Sequence, residues 1–75
     1  MAKLPVVSGL ELVKALSKAG FSLLGRQGSH VILAKDTGGR RLKTVVPLHE
    51  ELDAGTLLAI MRQAEITRED LEKLL

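Results

Sequence analysis

The sequence predicts an α+β fold of one helix, three antiparallel strands, a second helix and a short terminal helix. Three observations predict it. Apolar residues recur at helical spacing, on one stripe each, in two stretches near the ends of the chain. Between those stretches lie three short runs of branched apolar residues, punctuated by Gln27-Gly28 and by Asp36-Thr37-Gly38-Gly39. Pro47 then closes the last run, because proline has no amide hydrogen to give to a strand ladder.

Each element has its own justification. Ser8 and Glu11 have the spacing of a capping box, and Leu12, Val13, Leu16 and Ala19 follow on one face. The first helix therefore covers about residues 8–19, with Lys14 and Lys18 on its wet side. Gly20 stands where a helix stops in a left-handed turn. Phe21 to Arg26 reads as the first strand and Ser29 to Lys35 as the second. The second is apolar on both faces, as a middle strand is. The Asp-Thr-Gly-Gly hairpin leads into a returning strand from Arg40 to Val46. After a loop, a helix starts near Asp53 or Ala54, with Leu57, Ile60, Met61 and Ala64 as its stripe. Thr67 and Asp70 cap a last short helix over about 68–74, whose Leu71, Leu74 and Leu75 seek cover. Each main helix has a single apolar stripe, so both belong on one side of the sheet, leaving the other face for a ligand or partner.

The bulk numbers narrow the function. Seventy-five residues make a single domain over 1–75, with a limited core and modest stability. No cysteine is present, which excludes disulfides and thiolate metal sites and suits a reducing cytoplasm, the expected location. No apolar run approaches the roughly 20 residues needed to cross a bilayer, and no signal-peptide pattern opens the chain. One Phe and no Trp or Tyr leave little on which bases stack. Charge is uneven: residues 1–48 carry eight cations against Glu11 and Asp36, whereas residues 49–75 carry three cations against seven acids. The basic part attracts polyanions, although a solvated mixed-charge surface explains the same counts.

Few residues offer chemistry. His30 and His49 are 19 residues apart and lack the acidic or cysteine neighbours of a zinc site, so no metal is expected. Gly38-Gly39 lacks the rest of a phosphate-loop pattern. Ser29 beside His30 is no hydrolase pair, since strand neighbours point to opposite faces. RNA cleavage asks for less, because its nucleophile, the 2′-hydroxyl, is already in the substrate. An imidazole of pKa about 6.5 serves as base or acid near neutrality. Arg26, Lys35, Arg40, Arg41 and Lys43 are cations suited to the phosphate, and Gly28 lets a backbone come close. A lone histidine at a strand start is also commonly a hydrogen-bonded surface residue, and spacing leaves both readings open. His49, in Pro47-Leu48-His49, reads first as a residue that ties a turn, with substrate binding as the alternative.

The same residues carry a resemblance. Ala19-Gly20-Phe21, Gly28-Ser29-His30, Val46-Pro47-Leu48-His49, and Gly55-Thr56-Leu57 with Ile60 and Gln63-Ala64 resemble the HicA family of toxin–antitoxin proteins over roughly residues 8–67. The resemblance implies a double-stranded-RNA-binding-like α-β-β-β-α fold. It implies a ribosome-independent, metal-independent mRNA interferase without cofactor, held in check by a HicB-type antitoxin. The family's catalytic histidine maps onto His30, in a Gly28-Ser29-His30 motif, and its second histidine onto His49. The rivals are a non-catalytic RNA-binding module and a pure protein-interaction module on the same fold. The second helix opens Leu52-Asp53-Ala54-Gly55-Thr56 without a cation, which argues against ordinary duplex binding.

Overall fold

The computed structural model describes residues 4–75; Lys3, one of the cations of the basic part, lies outside them. Its elements run α1 (Gly9–Lys18), β1 (Ser22–Gln27), β2 (His30–Asp36), β3 (Arg41–Pro47), α2 (Ala54–Ala64) and α3 (Arg68–Leu74). This is the α-β-β-β-α arrangement expected, with the short terminal helix added.

Local chemistry sets the boundaries. Ser8 caps α1: its hydroxyl accepts from the Glu11 amide at 3.0 Å, and the Glu11 carboxylate accepts from the Ser8 amide at 2.9 Å. Gly20, at φ +102°, turns the chain out of α1. Asp53 caps α2, and Thr67 with Asp70 forms a second capping box at the start of α3. Thr56 donates both its amide and its hydroxyl to the Asp53 carboxylate, which holds that carboxyl below the usual range. The Thr67 amide does the same for Asp70.

The sheet is antiparallel in the order β1-β2-β3, so the apolar strand is the middle one. β2 and β3 pair without interruption, from His30 opposite Pro47 to Asp36 opposite Arg41. Side chains alternate across the pleat. Val31 and Leu33 of β2, with Leu42, Thr44 and Val46 of β3, face the helices and are buried. His30, Ile32, Lys43 and Val45 share the other face.

The helices pack chiefly over β3. Leu12 and Leu16 of α1, Leu57, Ile60 and Met61 of α2, and Leu71 of α3 close the core against the sheet. Ala15 enters this core, while Val13 and Ala19 are only partly covered and Leu75 stays exposed. β1 overhangs. Its Leu23 and Leu24 are 63% and 48% exposed, and a register shift between Leu23 and Gly25 leaves Leu24 as an extra residue. Thr44, the buried polar residue of the core, donates its hydroxyl to Gln63 of α2 at 2.6 Å, which satisfies it and ties helix to sheet.

Candidate active site

His30 opens β2 immediately after a two-residue loop. Gln27 pairs with His30, so Gly28 and Ser29 alone reverse the chain. Gly28 has φ +61°, the glycine-first pattern of a tight hairpin loop. A side chain there meets no neighbour, so it is the backbone angle that calls for glycine. Ser29 therefore belongs to the loop, and the strand begins one residue later than the apolar pattern alone suggests.

The loop is tied down on both sides. The Arg26 guanidinium donates through Nε to the Gly28 carbonyl at 2.8 Å. The Leu48 amide donates to the Ser29 carbonyl at 2.7 Å, which carries the chain leaving β3 past the loop. That outgoing segment is in turn clamped to α1, where the Gly9 amide donates to the His49 carbonyl at 2.9 Å. A Cβ on Gly9 would lie 2.0 Å from the Pro47 carbonyl oxygen, so helix and loop meet there at a distance only glycine permits. Sequence reasoning missed Gly9. Its signal was a poor helix former placed directly after a capping serine.

The two imidazoles are exposed, and among the described residues neither ring makes a hydrogen bond or an ion pair. His49 does tie its turn, but through its main chain rather than through its ring. No group of three His, Asp or Glu side chains among the described residues is placed to hold a metal ion.

The cations singled out from the sequence divide into three sets. Arg26 leaves β1 opposite the buried Val31, yet its guanidinium folds back onto the loop beside His30. Lys43 and Arg41 share the His30 face but stand farther along it. Lys43 lies opposite Ala34 and Arg41 opposite Asp36, which the strand rise converts to about 13 Å and about 20 Å from His30. Lys35 and Arg40 are elsewhere. Lys35 pairs with buried Leu42 on the helix side, and its stem lies 3.2 Å from where a Cβ of Gly20 would stand. There it lines a surface cavity of ≈ 400 Å³ with Ile66 and Lys73. Arg40 forms a salt bridge with Glu65, which raises the guanidinium pKa through its hydrogen bond and charge. Glu65 could not be foreseen as its partner, being 25 residues away and on another element.

Fold and site define a class of protein: a small α+β domain that keeps one histidine, a glycine loop and basic side chains on a sheet face no helix covers. The chain belongs to the HicA toxin family, since residues 9–66 match the family described as the HicA toxin of bacterial toxin–antitoxin systems. It is thus a toxin-type component, and membership implies an antitoxin partner. No curated protein matches the chain at a significant level. No helix among the described residues is long and apolar enough to cross a membrane.

Proposed function

We propose that this chain is an endoribonuclease toxin that cleaves mRNA with His30 as its acid/base group, without metal or cofactor. One observation carries the reading: an exposed imidazole with no internal partner, presented beside a tight glycine loop in a chain of the HicA family. A ring kept to tie the strand start would donate or accept within the protein, and among the described residues this one does neither.

The chemistry needs little more. His30 takes the proton from a ribose 2′-hydroxyl, and the 2′-oxygen forms a bond to the adjacent phosphorus. The bond from phosphorus to the 5′-oxygen breaks, and that oxygen leaves with a proton from solvent. In the mirror assignment, His30 supplies that proton instead. Either way the products end in a 2′,3′-cyclic phosphate and a 5′-hydroxyl. Charge building on the phosphate is met by Arg26, whose other guanidinium N–H groups remain after Nε is used. The amides of Gly28 and Ser29 lie outside the ladder and donate to nothing among the described residues, so they can turn to the phosphate as well. A HicB-type antitoxin in the same cytoplasm is the inhibitory partner.

The test is direct. Purified protein is incubated with a labelled transcript in EDTA, and the new ends are identified chemically. Cleavage to cyclic-phosphate ends, lost in a folded His30→Ala variant, is the expected result. A folded His30→Ala protein that cuts as fast as the parent would remove the assignment, and binding without cleavage by the parent would favour the non-catalytic RNA module.

A further inference from the structure

Resting on that reading and deepening it, we infer that the RNA is held as a single strand along the β2–β3 ribbon, on one side only of the scissile bond. The strand is held by its length rather than by its base sequence. His30 stands at one end of this open face, opposite Pro47. Moving away from it along the ribbon, the same face presents the cross-strand pair Ile32 and Val45, then Lys43, then Arg41 opposite Asp36. Lys43 is exposed and makes no hydrogen bond or ion pair among the described residues. Arg41 Nε is 3.9 Å from the Asp36 carboxylate, so its charge is partly answered within the protein. Lys43 is therefore the principal phosphate contact beyond the reacting one.

Distance fixes the footprint. At a stacked rise of about 3.4 Å per nucleotide, the separations of about 13 Å and about 20 Å correspond to about four and about six nucleotides from His30. The other direction offers nothing comparable. Beyond His30 the chain continues from Pro47 into the exposed acids Glu50 and Glu51, which repel phosphate. Between His30 and Lys43 the face carries aliphatic side chains with no aromatic ring and no side-chain donor, so bases passing there are covered but not read. A duplex is disfavoured by the same geometry, because Lys43 and the partly paired Arg41 form a single row, which serves a single backbone.

The experiment uses the full chain and strands of DNA that contain one ribonucleotide, so that only one bond is cleavable. Flanks are lengthened separately on the 5′ and 3′ sides. The expected result is a rise of about tenfold in kcat/KM as one flank grows from two to six nucleotides, with the other flank without effect. The rise survives a change of flank sequence. Lys43→Gln removes most of it and lowers the salt dependence of binding by about 0.7 in the log–log slope, whereas Lys14→Gln, an equal loss of charge on α1, does neither. Binding of an uncleavable all-DNA strand is measured beside it. Binding that depends on length and on Lys43, with no cleavage of any substrate, overturns the ribonuclease reading alone. Binding that ignores flank length, a rise on both sides, or an equal loss in Lys14→Gln overturns the one-sided track.

Discussion

The two ends of the sheet are made of the same materials and treat them in opposite ways. At the far end, the hairpin between β2 and β3 commits its polar groups to the protein itself. Arg40 pairs with Glu65, the C-cap of α2, Arg41 leans toward Asp36, and the Thr37 amide donates to the Arg40 carbonyl. At the near end, the shorter hairpin between β1 and β2 is clamped through its main chain by Arg26 and Leu48, while the His30 ring is left with no partner. The difference separates framework from function. A charge paired with a carboxylate, as in Arg40, is not left for a ligand. Arg26 instead fixes its loop on a neutral carbonyl and keeps its charge, beside a His30 ring left open on a rigid mount.

The largest effect expected from breaking this contrast is chemical. His30→Ala removes an exposed ring that contacts no internal donor or acceptor, so the thermal midpoint should hardly move. Removal of a general acid or base costs on the order of 10²–10⁴ in rate. Single-turnover cleavage of one transcript, read beside a melting curve, checks both halves. A variant that loses rate only because it has lost structure would place His30 with the framework.

The next effect tests the mount. Gly9→Ala forces a Cβ against the Pro47 carbonyl and disturbs the bond from the Gly9 amide to the His49 carbonyl. Forced overpacking of this kind costs about 1–3 kcal/mol, readable as a lower urea midpoint. Because Pro47 is the cross-strand partner of His30, cleavage should fall beyond what the loss of folded protein explains. Ala15→Gly, farther along α1, should lower stability by about 1 kcal/mol without that excess.

Most of the scaffold was legible because it is written locally. The Ser8–Glu11 and Thr67–Asp70 spacings, the Gly-rich hairpin and Pro47 each act within a few residues, and the apolar stripe of α2 is buried as its spacing demands. The position of His30, at the head of the apolar middle strand, could be read as well. What could not be read was how the cations are shared out. Lys35 and Lys43 both flank the same hairpin, yet the uninterrupted register turns one to the helices and the other to the open face. Arg40 and Glu65 meet only because α2 runs back along β3 toward the hairpin. Leu23 and Leu24 read as ordinary strand residues, and their exposure follows from where the helices lie, which no pattern within β1 encodes.

The far end predicts a smaller effect, of backbone origin. Glu65 sits at φ +54° just past α2, a left-handed position that costs a non-glycine residue about 1 kcal/mol. Glu65→Gly and Glu65→Ala both remove the carboxylate that Arg40 uses, so their difference isolates the backbone. The glycine variant should be the more stable of the two by about 1 kcal/mol, measured by denaturant unfolding. Equal stabilities would mean that the ion pair, rather than the chain conformation, decides how this corner holds.

The smallest effect comes from the helix caps, one toward each end of the sheet. Hydrogen bonds from Thr56 lower the folded-state pKa of Asp53, and those from Thr67 lower that of Asp70. A carboxyl whose pKa is lower in the folded chain adds stability that is complete above the unfolded value, about 3.9, and disappears as pH falls through the folded value. Both caps therefore hold at neutrality and fail only in acid. Asparagine caps a helix nearly as well without titrating, so Asp53→Asn and Asp70→Asn should each flatten the acid limb of a plot of melting temperature against pH. Asp53 begins the helix that follows the loop behind His30, whereas Asp70 lies beside the Arg40–Glu65 corner. Amide exchange should accordingly show acid loosening the near end in the parent and in Asp70→Asn, but not in Asp53→Asn. If both substitutions protect both ends alike, the ends unfold as one unit, and their difference is one of chemistry alone.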